Sequence, residues 1–372
     1  MQAIAMNPRQ REVGVIDQPE PRRTGESDVL VRILEVGVCG TDREICSFEY
    51  GTPPDGADHL VLGHESLGEV VEVGPAVQGL SPGDLVVPMV RRPCAVPTCT
   101  ACRADRQDYC YTGQFVERGI KQAHGFMTEA IVEDARYLNR VPRGLRDVAV
   151  LVEPLTIAEK AMAQLWSVQA RLPWACEGDG PRGACHTALV LGAGPVGLLG
   201  AMTLRKNGFD TFVYARGTGS GSRAALLERI GATYLSAETT PLDEVARRIG
   251  NIDMVFEATG ASRLAFELLP YLGTNGVFVL TGVPGLRGPV SVDTDLLMRN
   301  LVLKNQVLCG TVNAGKPDFE AAIRDLEVFS ERWPDAVSAL ITGHHPVEAA
   351  RGLLLSPPTG IKEVIAFDRA RA

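Results

Sequence analysis

The chain has 372 residues, 45% hydrophobic and 22% charged, with a formal net charge of −8. That apolar content excludes a disordered chain and suffices for two domains. An acidic balance without a basic block excludes a nucleic-acid partner, which needs a concentrated Lys/Arg face. No apolar run approaches the roughly 20 residues that span a bilayer. The opening MQAIAMNPRQREVGV has no basic region followed by an apolar signal core, so a cytoplasmic protein acting on a small molecule, with no membrane partner, is expected. With nine cysteines and no export signal, a disulfide framework is not expected, and clustered cysteines point to metal.

Up to about residue 150 the sequence is rich in Gly, Pro and β-branched residues. Segments such as DVLVRILEVGV, ESLGEVVEVG and GDLVVPM lie between turn signals, which predicts an irregular all-β region. Within it stand VCGTD, with Cys39, Thr41 and Asp42, and LGHESLG, with His64 and Glu65; Glu153 follows in LVEPL. Singly each is a weak signal, since a lone His is more often a satisfied core residue than a ligand. Together they supply one thiolate, one imidazole and up to two carboxylates. A mixed set of this kind suits a catalytic zinc that keeps one position open and acts as a Lewis acid on an alcohol oxygen. The Thr41 hydroxyl, two residues from Cys39, both donates and accepts, which places it as a relay for the substrate's hydroxyl proton.

Next comes CAVPTCTACRADRQDYC, from Cys94 to Cys110. Cys99 and Cys102 form a CxxC pair, with Cys94 and Cys110 flanking them. Four thiolates close a tetrahedron and leave no vacant position, so this zinc is expected to be structural, pinning a polar loop.

EPLTIAEKAMAQLWSVQARL follows as a long helical stretch, and then PWACEGDGPRGAC, an insertion at 173–186 to which no role is assigned. From HTALVL the rhythm becomes strand, helix, strand, through GPVGLLGAMTLRKNG, TFVYAR, RAALLERIG, NIDMVFEATG, SRLAFELLPYLG, GVFVLTG and QVLCGTV. Alternation of this kind builds a doubly wound parallel sheet. LVLGAGPVGLLG places Gly192, Gly194 and Gly197 in a GxGxxG pattern between strand and helix, with Pro195 and Val196 inside it. These glycines let the backbone approach a pyrophosphate at a helix N-terminus. The second strand ends in Arg216, and no carboxylate follows until Glu228. NADP is therefore expected, with NAD also accommodated; the alternative is that Arg216 is a solvated strand-end charge. The tail after Asn313 turns mixed again, which suggests that it returns to complete the first domain.

In this order and spacing, CGTD, GHE, the cysteine lobe and GAGPVG resemble the zinc-dependent medium-chain alcohol dehydrogenases along essentially the whole chain. VVPMVRRP, the DYC that closes the lobe, TGQFVERGI, HGFM, LVEPL, GTVNAGKPDF and RWPDAVSALIT resemble its glucose 1-dehydrogenase branch. The fold this implies is α/β: a GroES-like irregular β catalytic domain (1–187 and 314–372) with an inserted Rossmann doubly wound parallel sheet (188–313). The activity it implies is zinc-dependent, NAD(P)-linked oxidation of an aldose, D-glucose first, at C1 to the aldonolactone. The alternatives are a medium-chain dehydrogenase for another polyol, sugar or amino alcohol, and, in a different class, a non-catalytic NADPH-binding or zinc-stabilised interaction protein. Position by position, the resemblance makes Cys39, His64, Glu65 and Glu153 ligands of a catalytic zinc and gives them and Thr41 the catalytic roles. Cys94, Cys99, Cys102 and Cys110 would hold the second zinc of the chain. Glu117, Glu153 and Asn313 would meet the sugar, and Thr259 and Asn313 would join the glycine loop and Arg216 at the cofactor. A homodimer or homotetramer is implied, with GLRGPVSVD after GVFVLTG at a pairing sheet edge. Two features depart from the pattern. Four residues separate Cys94 from Cys99 where two are usual, and Val90 stands where some members have a sugar-contacting Asn. Cys46, Cys176, Cys185 and Cys309 are expected to be reduced and structural, and His59, His124, His186, His344 and His345 receive no role.

Overall fold

The strand Asp28–Gly37, DVLVRILEVG, alternates buried and partly exposed residues in its first half and is buried on both faces in its second. That pattern belongs to a strand that leaves a sheet surface and enters its core. A computed structural model, which describes residues 1–285 and 288–367, places it at the centre of a seven-stranded sheet. Glu65–Val73 pairs along one edge of this strand. Ala130–Asp134 and Lys362–Ala366 share the other, Ala130 opposite Arg32 and Ala366 opposite Glu35. The last described strand of the chain is therefore a member of the first sheet.

The chain folds into two units. One comprises 1–156, 313–330 and 337 onward; the other 157–312 and 331–336. The first division falls inside the helix Val152–Gln169, upstream of the expected 187. The helix begins in the first unit and continues into the second, where Glu159 accepts a hydrogen bond from the Thr203 hydroxyl at 3.0 Å. The tail is mixed, helices alternating with strands, and its longest element is the helix Lys316–Arg332, where Phe319, Ala322, Ile323, Leu326 and Phe329 recur at helical spacing and are buried.

In the second unit six parallel strands run Thr233–Ser236, Asp210–Ala215, Thr187–Leu191, Met254–Glu257, Val277–Leu280 and Val307–Gly310 across the sheet. The chain starts in the middle, builds outward to one edge, then returns and builds to the other. This is the doubly wound arrangement, with its switch point beside Thr187–Leu191. The strand Thr233–Ser236 and the helices Leu242–Ile249 and Thr294–Leu303 are further elements that the sequence reading does not contain. The expected pairing edge at GLRGPVSVD includes Leu286 and Arg287, which lie outside the described residues; the sheet's edge on that side is Val307–Gly310. Among the described residues no helix is long and apolar enough to cross a membrane.

One expectation is overturned. Cys176 and Cys185 are not free thiols but form a disulfide, their Cα atoms 5.5 Å apart. The Gly- and Pro-rich segment between them turns back on itself, and so brings together two cysteines nine positions apart.

A buried ionic cluster locks the first sheet. Glu133 accepts from Arg118 Nε at 3.0 Å and Arg92 Nε at 3.2 Å. Burial alone would raise its pKa, but the two guanidiniums outweigh burial and hold the carboxyl below its ordinary 4.5. A depressed carboxylate contributes stability above its unfolded pKa and loses it as pH falls through the folded value. Glu133→Gln is expected to cost about 3 kcal/mol near neutral pH, because two partly buried guanidiniums lose their counter-charge. The loss relative to wild type should shrink below pH ~4.5, which urea titrations at several pH values measure.

Candidate metal and dinucleotide sites

Cys39 precedes the helix Gly40–Cys46, and Asp42 in the first turn turns its Oδ2 back to accept the Cys39 N–H at 2.8 Å. The other oxygen of this fully buried carboxylate, Oδ1, lies 3.3 Å from Nδ1 of His64. His64 follows Gly63, whose φ of +87° and missing Cβ allow the turn: a methyl there would meet Met127 Cγ at 2.5 Å. Glu65 then opens the strand Glu65–Val73, so adjacent residues of GHE aim at one point. Burial would lower the His64 pKa, but Asp42 more than compensates and raises it well above 6.5.

One donor atom each from Cys39, His64 and Glu65 lies within 4.8 Å of the others. A zinc at about 2.0–2.3 Å from each fits this spacing after small side-chain shifts, and the set leaves a further position open. Asp42 behind Nδ1 adds the carboxylate–imidazole support usual for a metal-bound histidine. Glu153 is buried in the first turn of Val152–Gln169 and lies outside that group of three. Burial pushes its carboxyl up to about 7, with His64 opposing and Glu65 reinforcing the shift. Thr41 is half-buried one residue before Asp42.

Sequence reasoning missed Lys362. It lies in the last strand, buried, with its Nζ bonded to Glu65 Oε2 and 3.3 Å from the Val38 carbonyl. Burial would lower its pKa, but Glu65 beside it raises it. The sequence signal is a pair of charged residues, Lys362 and Glu363, opening the short strand-like run KEVIA.

The sugar-side expectations, Glu117 and Asn313, are also neighbours. Asn313 Nδ2 donates to Glu117 Oε1 at 3.0 Å, and the same oxygen accepts from Arg91 Nε at 3.1 Å and Nη2 at 3.0 Å. Arg91, buried and stacked over Phe115 at 3.7 Å, uses its third nitrogen on the Asp108 carbonyl at 3.1 Å. Asp108 belongs to the cysteine lobe, two residues before Cys110. Val90 is buried and offers no polar side chain.

In the lobe the Sγ atoms of Cys94, Cys99, Cys102 and Cys110 lie within 4.8 Å of one another. Burial pushes the Cys102 thiol up to about 12, whereas at Cys110 hydrogen bonds from Thr112 overcome burial and hold it at about 6. A four-sulfur set around one point fits a closed tetrahedral zinc.

In the second unit, Gly192 ends the strand Thr187–Leu191 with φ +103°, and a Cβ there would lie 2.6 Å from Thr259 Cγ2. A Cβ on Gly197 would strike the Gly192 carbonyl oxygen at 2.1 Å, so only glycine lets the helix Pro195–Lys206 start so close to the strand. Gly194 precedes that helix with open space where its Cβ would be, leaving room for a phosphate, and Pro195 and Val196 form its first turn. Thr259 is fixed by Glu257, a buried carboxylate accepting from the Thr259 N–H, the Gly260 N–H at 2.9 Å and the Gly282 N–H at 3.1 Å. Arg216 is exposed just beyond Asp210–Ala215. The neighbouring Gly217 N–H donates to Glu238 at 3.0 Å, a carboxylate that sequence distance had hidden.

Comparison with known proteins places this arrangement. Residues 25–143 match the alcohol dehydrogenase GroES-like domain, and residues 146–367 match the glucose dehydrogenase C-terminus. Glucose 1-dehydrogenase of Methanocella arvoryzae is 38% identical over 366 residues, covering 98% of this chain and 99% of that one. The enzyme of Thermoproteus tenax is 41% identical over 357 residues and 94% of each. Haloferax mediterranei glucose dehydrogenase, solved in complex with NADP, Zn and gluconolactone, superposes with a TM-score of 0.88 at 34% identity over 99% of both chains. By sequence and by fold, the chain belongs to the glucose 1-dehydrogenase branch of the zinc-dependent medium-chain alcohol dehydrogenases.

Proposed function

We propose that this protein oxidises D-glucose at C1 to gluconolactone with reduction of NADP, and that Cys39, His64, Glu65 and Glu153 hold the zinc at which the C1 hydroxyl binds. The observation that carries this reading is the convergence of Cys39, His64 and Glu65, with Asp42 behind the histidine, in a chain whose relatives are glucose 1-dehydrogenases. When bound, zinc supplies Lewis-acid polarisation of the hydroxyl and NADP supplies the hydride acceptor.

The chain's own residues do the rest. Asp42 keeps His64 in the orientation that presents its other ring nitrogen to Cys39 and Glu65. Thr41 accepts the hydroxyl proton and passes it outward. Glu117 and Asn313, already hydrogen-bonded to each other, exchange that bond for sugar hydroxyls. Arg91 holds Glu117 in position, so that the sugar binds to a prearranged carboxylate. The Gly192–Gly197 loop and the start of the following helix take the pyrophosphate, and Thr259 closes against Gly192. Arg216, exposed at its strand end, meets the 2′-phosphate.

Cys94, Cys99, Cys102 and Cys110 hold the second zinc. The exposed apolar residues Met298, Val302 and Leu303, with Leu308 on the edge strand, are the face on which we place the contact between copies in a homodimer or homotetramer. We place the enzyme in the cytoplasm.

Initial rates over a panel of aldoses and linear polyols, with both cofactors, test the reading. D-glucose with NADP should give the highest kcat/KM; a linear polyol in that place would move the chain to another substrate within its family. Arg216→Asp should lower the NADP-to-NAD ratio of kcat/KM by about tenfold or more, because a carboxylate repels the 2′-phosphate. An unchanged ratio would make Arg216 a solvated charge.

A further inference from the structure

The insertion at 173–186 carries a cluster unrelated to either zinc set. Cys176 and Cys185 are joined, and the ring of the next residue, His186, turns Nε2 to within 3.7 Å of Cys185 Sγ. One donor atom from each of the three lies within 4.8 Å of the others. His186 is buried under Trp174, the two rings stacked at 3.8 Å and 24°. Its other nitrogen, Nδ1, faces Asp253 Oδ1 at 3.7 Å. Asp253 is itself buried and fixed, accepting from the Thr187 N–H at 2.9 Å and from Asn251 Nδ2 at 2.8 Å. Trp166 and Phe209 pack beside Trp174, and Arg182 of the same loop lies over Trp166 at 4.1 Å. The histidine is therefore held on three sides, while the two sulfurs sit at the rim, Cys185 exposed and Cys176 half-buried.

We propose that Cys176, Cys185 and His186 form a third metal site, which takes a zinc ion when the disulfide is reduced. Three features point the same way. Two sulfurs and one imidazole nitrogen are the donor set of a zinc position that keeps a fourth place for water. A carboxylate on the side of the opposite ring nitrogen is placed to fix a metal-bound histidine in orientation. An exposed disulfide in a short surface loop is open to thiol–disulfide exchange, whereas the donors of a buried pair would be out of reach.

The exchange balances with a dithiol as reductant. Its thiolate attacks one sulfur, the S–S bond of Cys176–Cys185 breaks, and the reductant's second thiol resolves the mixed disulfide, leaving two protein thiols and an oxidised reductant. Zinc binding then releases both thiol protons, so occupancy should fall as pH is lowered. The disulfide and the metal-bound form are thus two alternative ways of closing one loop. His186 keeps its place in both, because it is held by Trp174 and Asp253 and not by the thiol pair.

The test compares the full-length protein with its Cys176→Ser/Cys185→Ser variant. Each is incubated with a dithiol, transferred to dithiol-free buffer without oxygen, titrated with zinc chloride, desalted and assayed for zinc by mass spectrometry. Reduced wild type should retain one zinc per chain more than the variant, whatever the number bound elsewhere, and unreduced wild type should match the variant. Trp174 emission should change on reduction and again on zinc addition in wild type alone. His186→Asn should keep both thiols yet weaken the additional zinc by at least about 10-fold, since even the partner of a metal-bound histidine contributes 10–100-fold. Equal zinc content in reduced wild type and the double variant would overturn the site, as would undiminished affinity in His186→Asn. Glucose oxidation enters none of these readings, so this proposal and the proposed activity stand or fall separately.

Discussion

Cys39→Ser is expected to lower kcat/KM for glucose by more than about 100-fold and to remove one zinc per chain, with the fold retained. The magnitude follows from the ligand set. Loss of a group that merely orients a ligand costs 10–100-fold in metal affinity or activity. In the proposed centre, replacing the Cys39 thiolate by a neutral hydroxyl removes a ligand outright and would leave His64 and Glu65 to hold the ion with Glu153. The fold should survive because the contact that ties Cys39 into its helix is made by its backbone, the N–H donating to Asp42 Oδ2 at 2.8 Å. Asp42 therefore keeps its place behind His64 in the variant. Steady-state kinetics, metal analysis and thermal melts on one preparation separate the possibilities. Wild-type turnover with the zinc content unchanged would show that Cys39 is no ligand and would remove the proposed centre. Loss of turnover with a much lower melting temperature would give Cys39 a structural role instead.

Why some of this was visible in the sequence and some was not comes down to the distance over which each constraint acts. Gly192, Gly194 and Gly197 sit between a strand and a helix because backbone must pass close to backbone there, a local requirement that leaves a local pattern. The four lobe cysteines are likewise confined to seventeen positions, and GHE places two donors on adjacent residues. Partners that meet only across the sheet leave no such trace. Lys362 reaches Glu65 from 297 positions away, and Asn313 reaches Glu117 from 196 away. Asp42 was legible as part of CGTD, but its service to His64 was not, because it depends on how the helix Gly40–Cys46 faces the turn at Gly63. The disulfide was missed for a different reason. Compartment and cysteine count argue about the average thiol, while loop geometry decides a particular pair. The strand Thr233–Ser236 was lost because TYLS offers a single aliphatic residue, and the helix Leu242–Ile249 because four of its eight residues are charged.

The largest structural effect is expected from Cys99→Ser/Cys102→Ser, and it should reach the sugar. Around these residues the buried apolar cluster consists of Cys94, Cys99 and Cys102, with Val96, Ala101 and Cys110 packed against them. A lobe with so little else to bury would depend on the zinc proposed for it, since in small zinc domains metal binding, worth about 10–16 kcal/mol, is the folding energy. Losing the CxxC pair should therefore unfold the lobe while the sheets, which have their own cores, stay folded. The effect would then pass through Arg91, which is anchored on the Asp108 carbonyl of the lobe and braces Glu117 with its remaining nitrogens. Without the anchor, Glu117 is no longer prearranged, and a charge-assisted hydrogen bond of about 1.5–3 kcal/mol is at stake. KM for glucose should rise about tenfold or more, with a smaller change in kcat, because the GHE turn, where we place the catalytic zinc, is untouched. Limited proteolysis should cut between Cys94 and Cys110 in the variant and not in wild type, and zinc content should fall by one per chain. Arg91→Met separates cause from consequence: it should raise KM in the same way while the lobe keeps its zinc and its protease resistance. A double variant that loses the lobe zinc and is cut by protease, yet binds glucose with wild-type KM, would show that the lobe and the sugar site are not joined through Arg91.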